Sequence, residues 1–389
     1  MKQISMFVAR HDSAKVFLIW AASRVVTFFA YLGAFTFTRH NFSIGFIVRR
    51  FPTFVDTWDA RWYRKIFVSG YPHTLPHNSH GLVIGNAWAF LPAYPITVKA
   101  VNLMVHRGWN IVSPAVAVLF GFLAAWILFL ILRDIFGKPT ALWAVVLFSA
   151  CAVTPIFQTG YAESMALFFT LAALRLTIQG KYLWALVPLA LWSLTRPGEL
   201  AFALVFLSLG IIAWRKKQPV WRLVTAAAGS AFLGVLWPLI AWVSTGVASA
   251  YFLTENAWRE AHTGSTKIYL VESWFISANN YFGVPLGPIL VLVVWAIAAW
   301  ILFLPSVMRL GTVIRLWIAA YFVYLVLVFY PQSSTVRILI PNLIIVGAFA
   351  WATMKLKTWI KVLIVLAFVA TQVFWIVFFW DAHVGSFPP

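Results

Sequence analysis

Acidic residues are scarce. Of 389 residues only 10 are Asp or Glu, against 29 Lys and Arg. Charge of both signs makes up 10% of the chain, where a water-soluble domain carries about 25%. That is too little to coat a soluble globule, so this class is excluded. There is one cysteine, Cys151, which rules out an intrachain disulfide and a thiolate metal cluster. No P-loop and no dinucleotide-binding glycine pattern occurs, which argues against a nucleotide-linked donor at the inner face. No internal repeat is strong enough to suggest a two-fold transporter.

What the chain does have is apolar length. Hydrophobic residues reach 62%, and the apolar runs approach the roughly 20 residues that cross a bilayer core. The expected fold is an all-α polytopic membrane bundle of about eleven spans, a single domain over 1–389 with a large first outer loop over 38–90. The first run is too long for a cleaved signal and lacks a small-residue cleavage site, so it reads as the first span. Arg24 lies inside it. The net charge of +19 sits largely in short loops, where it sets topology rather than binding nucleic acid. The bias predicts a cytoplasmic N-terminus. Arg215, Lys216, Lys217 and Arg222 would then face anionic lipid heads. Segment 91–105 is apolar but short and holds Pro92, Pro95 and Lys99. It reads as a helix that dips into the membrane or lies along it, because a crossing there would turn Arg215 to Lys217 outward.

In this topology eight of the ten acids fall on the extracytoplasmic side or at its edge. They are Asp56, Asp59, Glu163, Glu199, Glu255, Glu260, Glu272 and Asp381. Two stand three apart in FVDTWDARWYRKIFVSGYP (54–72). At that spacing on a helix Asp56 and Asp59 would share a face. A plainer account makes Asp56 an N-cap and pairs Asp59 with Arg61 or Arg64 on a solvated helix. His73, His77 and His80 have ligand-like spacing, but Pro72, Pro76, Asn78, Ser79 and Gly81 around them predict a loop. No metal and no cofactor is expected. With 22 Trp, most aromatics need be no more than an interfacial belt.

Five stretches occur in a fixed order: Trp58-Asp59, Gly70-Tyr71, Asn86 to Pro95, Tyr161-Ala162-Glu163-Ser164 and Thr195-Arg196. Together they resemble the PIG-V-like mannosyltransferases, glycosyltransferases of the GT-C fold that use lipid-phosphate sugars. The likeness covers about the first 200 residues, and beyond them only hydropathy and Arg337. Ala162 and Leu91 depart from the family's Ser and Phe without removing a titratable group. The resemblance implies mannose transfer from polyprenyl-phosphate-mannose to an envelope glycolipid or lipoglycan on the extracytoplasmic face. It favours Asp59 as the base, with Asp56 as the second candidate. It places Arg196 and Arg337 on the donor phosphate, and Glu163, Asn86, Tyr94 and Trp58 among the substrate contacts.

The chemistry fits. A sugar hydroxyl is a poor nucleophile at neutral pH and benefits from a positioned carboxylate. A phosphate-linked donor departs as a stable anion and needs cations or N–H groups to hold the developing charge. A lipid-phosphate flippase using the same arginines is the alternative, and the long outer loop argues against it.

Overall fold

The computed structural model describes residues 2–41, 50–263 and 270–380, except for the side chains of 2–11, 38–41, 259 and 261–263. Residues 42–49 of the expected first outer loop and Asp381 lie outside the described residues. The named elements of the described chain are all helical, and among the described residues there is no strand, only an isolated bridge between His77 and Val83.

The helices run in order α1 (Lys2–Asn41), α2 (Phe51–Phe54), α3 (Asp59–Ser69), α4 (Ala93–Val105), α5 (Trp109–Phe136) and α6 (Lys138–Ala150). Then come α7 (Glu163–Ile178), α8 (Tyr182–Ser193), α9 (Ala201–Arg215), α10 (Trp221–Thr245), α11 (Ala250–Thr263) and α12 (Glu272–Phe282). The last are α13 (Leu286–Ile301), α14 (Pro305–Met308), α15 (Thr312–Val328), α16 (Thr335–Ile338), α17 (Val346–Thr353) and α18 (Thr358–Trp375). Four described helical stretches are long and apolar enough to cross a membrane: Asp12–Phe37, Trp109–Phe136, Trp221–Thr245 and Thr358–Trp380. Shorter apolar helices accompany them.

The expected spans 140–157 and 336–353 are not single helices. The first ends at Ala150 and continues as a 3₁₀ turn over Thr154–Gln158. The second is α16, a 3₁₀ stretch over Ile340–Ile345 and α17. Pro155 and Pro341 stand at these breaks, where proline has no N–H for the helix ladder and disfavours the α conformation before it. Segment 91–105 forms α4, which at 13 residues is roughly 20 Å long, short of the hydrocarbon thickness.

The chain divides into two compact units. One comprises Met1–Arg61, Ala100–Leu171 and Val336–Pro389, and the other Trp62–Lys99 and Ala172–Thr335. In the first unit α6 packs against α1, α5, α17 and α18. The α5–α6 hairpin turns on Gly137, at φ 82°, whose N–H bonds Arg133 O, and Pro139 opens the next helix. Ala124, Ala125, Ala141 and Ala144 are fully buried, and such small residues let helices approach closely where hydrophobicity alone does not drive association. In the second unit α10 packs against α8, α9 and α11, α15 against α9, and α12 against α13. A tryptophan cluster joins its loop to α10: Trp237 Nε1 donates to Trp88 O (3.0 Å), and Trp88 Nε1 to Pro72 O (3.0 Å).

Candidate active site

In the first unit the DTWD motif is a turn followed by a helix start. α2 ends at Phe54, Trp58 takes the left-handed conformation (φ 55°), and α3 begins at Asp59. Asp56 therefore lies outside the helix, and the expected shared face of Asp56 and Asp59 does not form. Asp59 instead meets Arg337, far away in sequence.

The two carboxylates have separate partners. Asp56 is buried and accepts from Trp109 Nε1 at 2.6 Å. Asp59 Oδ2 accepts from Arg337 Nη1 at 2.6 Å. On the far side of that guanidinium, Glu163 Oε1 lies 3.6 Å from Arg337 Nε. The Asp59 side chain is 24% exposed, against 9% for Arg337 and 3% for Glu163, so the cluster opens to solvent at Asp59.

Aromatic side chains hold this arrangement. The Tyr161 hydroxyl accepts from the Asp59 N–H at 3.1 Å, and the Arg337 guanidinium lies over its ring at 5.5 Å. Trp58 Nε1 donates to Trp380 O, and Trp380 Nε1 donates to Phe54 O, both at 2.9 Å. Trp380 also packs against Tyr161, with ring centroids 5.3 Å apart. Gly160 allows the close fit. A Cβ there would come within 3.1 Å of both the Trp109 ring and Ser113 Oγ.

Electrostatics follow from burial and pairing. Burial alone would lower the Arg337 pKa, but Asp59, Glu163 and Tyr161 outweigh it and hold the guanidinium above its ordinary value. Burial, with Asp59 next, keeps the Tyr161 phenol far above its usual range, so the hydroxyl stays protonated. The result is a fixed cation between two carboxylates, a set able to bind an anion and to accept a proton.

The other expected residues belong to the second unit. Asn86 is buried and its amide is occupied. Its Oδ1 accepts from Trp88 N, and its Nδ2 donates to Ile84 O and Thr254 Oγ1, each at 3.0 Å. Tyr94 is fully buried, edge-on to Tyr63 at 5.5 Å. Arg196 sits half-buried in the turn after α8, its N–H on Trp192 O. Gly198 in that turn, at φ 137°, lies against Trp192 and Tyr321. Beside it the buried Glu199 leaves Oε2 without a hydrogen bond, and burial pushes its carboxyl up to about 8. His73 and His80 lie in bends and turns around the His77–Val83 bridge, and no metal-holding group of three or more His, Cys, Asp or Glu occurs among the described residues.

Sequence reasoning did not select Trp109, Tyr161 or Trp380. Tyr161 lay within a quoted motif. Trp109 and Trp380 carried no signal among 22 tryptophans.

No family model matches the sequence, and no curated protein matches it significantly. Solved structures do resemble the fold. ArnT from Cupriavidus metallidurans, bound to undecaprenyl phosphate, aligns with 91% of this chain and 63% of its own, at 16% identity and TM-score 0.50. The Archaeoglobus fulgidus oligosaccharyltransferase, in complex with Zn and sulfate, aligns with 90% of this chain and 52% of its own, at 15% identity and TM-score 0.45. The chain thus spans less than two thirds of either protein's length. It is an all-α polytopic membrane protein of the GT-C fold. The narrower likeness to PIG-V-like mannosyltransferases rests on the five motifs alone.

Proposed function

We propose that this protein is an inverting glycosyltransferase that moves mannose from polyprenyl-phosphate-mannose to a glycolipid or lipoglycan on the extracytoplasmic face. The observation that carries the reading is the Arg337–Asp59 contact, a buried cation bonded to a carboxylate that is open on one side. ArnT, of the same fold, is bound to undecaprenyl phosphate, which supports a polyprenyl phosphate as the kind of carrier this fold holds.

In the reaction the acceptor oxygen bonds the anomeric carbon as the bond from that carbon to the phosphate oxygen breaks. Asp59 takes the acceptor's proton, and the carrier leaves as polyprenyl phosphate. Arginine suits the phosphate because its planar fork matches two oxygens at once. While Arg337 is bonded to Asp59, the Oδ2 of that carboxylate is occupied. A donor phosphate competing for Arg337 frees Asp59 as the acceptor arrives. Glu163 keeps the guanidinium oriented, and Asp56, held by Trp109, fixes the turn that presents Asp59. Arg196 is a further donor-phosphate ligand on the strength of the motif. Asn86, Tyr94 and Trp58 act as supports, their polar groups or rings being taken up by the protein.

The test is transfer of labelled mannose from polyprenyl-phosphate-mannose into lipid, comparing wild-type membranes with Asp59→Asn membranes. Label entering a new glycolipid only with the wild type supports the reading. Transfer by both removes Asp59 as the base. Transfer by neither, with lipid phosphate still crossing the bilayer, favours a flippase.

A further inference from the structure

Arg24 lies in the middle of the first candidate span, 6% exposed, and its partners among the described residues include no carboxylate. A charge at such a depth is costly, and its partner is informative. Here the partners are two backbone carbonyls and two hydroxyls, those of Ser23 and Thr154. Nη1 donates to Thr154 O at 2.6 Å and Nη2 to Ser149 O at 3.1 Å, while the guanidinium lies over Trp20 at 4.2 Å. Gln372, in the last candidate span, reaches the same place. Its Nε2 is 3.1 Å from Ser149 O, 3.2 Å from Cys151 O and 3.0 Å from Thr154 Oγ1. Its Oε1 accepts from Thr27 Oγ1 at 3.1 Å.

The convergence point is where α6 stops. The last carbonyls of a helix have no i+4 donor and carry the negative end of its dipole, so a cation and an amide there meet a real deficit. Beyond it, residues 151–162 leave the α-helical ladder. Irregular backbone at membrane depth survives only when enclosed and satisfied by protein. Thr154, Ile156, Phe157, Thr159 and Tyr161 are all fully buried. The segment's far end holds Tyr161, on the Asp59 N–H, and leads into Glu163, beside Arg337.

We propose that Arg24 and Gln372 are positioning residues for the Asp59–Arg337–Glu163 cluster, tethering the near end of the segment whose far end carries Tyr161 and Glu163. Neither touches a reacting atom. The inference rests on the proposed transfer only for the meaning of "positioning", since the tether itself can be read without turnover.

Cys151, the single cysteine of the chain, lies within the tether and serves as a native reporter. A Cys151→Ala, Gln158→Cys chain reports the far end. The experiment measures methanethiosulfonate labelling rates at both positions, together with kcat and the donor KM, for wild type, Arg24→Lys, Arg24→Met and Gln372→Leu. Gln372→Leu removes all of the amide's contacts, and the net loss of even one buried hydrogen bond predicts labelling about tenfold faster at both reporters. Arg24→Lys, which keeps charge but not the fork, is expected to fall between wild type and Arg24→Met. kcat should drop in the same order, with donor KM nearly unchanged. If Arg24→Met does not fold, Gln372→Leu and Arg24→Lys decide. Unchanged labelling at Gln158→Cys in both would overturn the proposal, as would faster labelling with kcat untouched. If both reporters respond and the wild type transfers no sugar, the tether stands and the proposed transfer fails.

Discussion

At the residue scale, Asp59 and Asp56 have different environments and so different expected phenotypes. Asp59→Asn keeps the shape but removes the proposed proton acceptor, so transfer should fall about 10²–10⁴-fold, the usual contribution of a positioned base. Its melting temperature should change little, because Glu163 still faces Arg337. Trp109→Phe leaves Asp56 without its 2.6 Å donor. Stripping a buried carboxylate of a partner costs about 1–3 kcal/mol, and thermal unfolding in detergent measures it. Activity should then fall through loss of folded protein more than through kcat. Glu199 carries a pH signature. Its carboxyl titrates near 8 in the folded chain against an ordinary 4.5, so the folded state binds more protons between those values and stability falls as pH rises through that window. Glu199→Gln removes the titration. The variant should lose less stability than wild type between pH 5 and pH 8.5, and equal losses would refute the assignment. The Asp59–Arg337 pair was only half legible in sequence. The resemblance singled out both residues, but 278 positions separate them, and only folding shows that one occupies the other.

At the element scale, the helices follow from apolar length, while their breaks follow from proline and from close packing. Gly121 on α5 faces Trp20 on α1, and a Cβ there would fall 2.3 Å from the ring's Cζ2. Gly121→Ala is therefore expected to destabilise by about 1–3 kcal/mol through overpacking. Trp20→Phe, which shortens the ring, should recover part of that loss in the double variant. Additive losses in thermal melts would show that the two helices accommodate the methyl elsewhere. The continuous span expected over 140–157 failed for a related reason. Its composition is apolar to Phe157, so hydropathy sees no end at Ala150. The break is stabilised by Arg24 and Gln372, which lie more than 100 residues away in sequence from the carbonyls they satisfy.

At the scale of the whole molecule, the charge bias predicts sidedness. In a Cys151→Ala background, His80→Cys should react with an impermeant thiol reagent in intact cells. Lys217→Cys should react only after the membrane is opened. The reverse pattern would place the Asp59 cluster on the cytoplasmic side, and transfer from an outer-face lipid-phosphate sugar would be untenable. The fold likeness to ArnT leaves this orientation to experiment.

Composition and the unbroken length of the apolar runs determined that the chain is a helical membrane protein, because the backbone must satisfy itself in lipid and a barrel strand would be short and alternating. The motifs, by their order, singled out Asp59 and Glu163, both of which meet Arg337. Tertiary structure decided the rest. It placed Asp56 in a turn against Trp109, closed Arg337 onto Asp59 and Glu163, and assigned Asn86 and Tyr94 to the interior. Those outcomes depend on which distant side chain supplies the partner a buried polar group requires, and local pattern carries no record of that pairing.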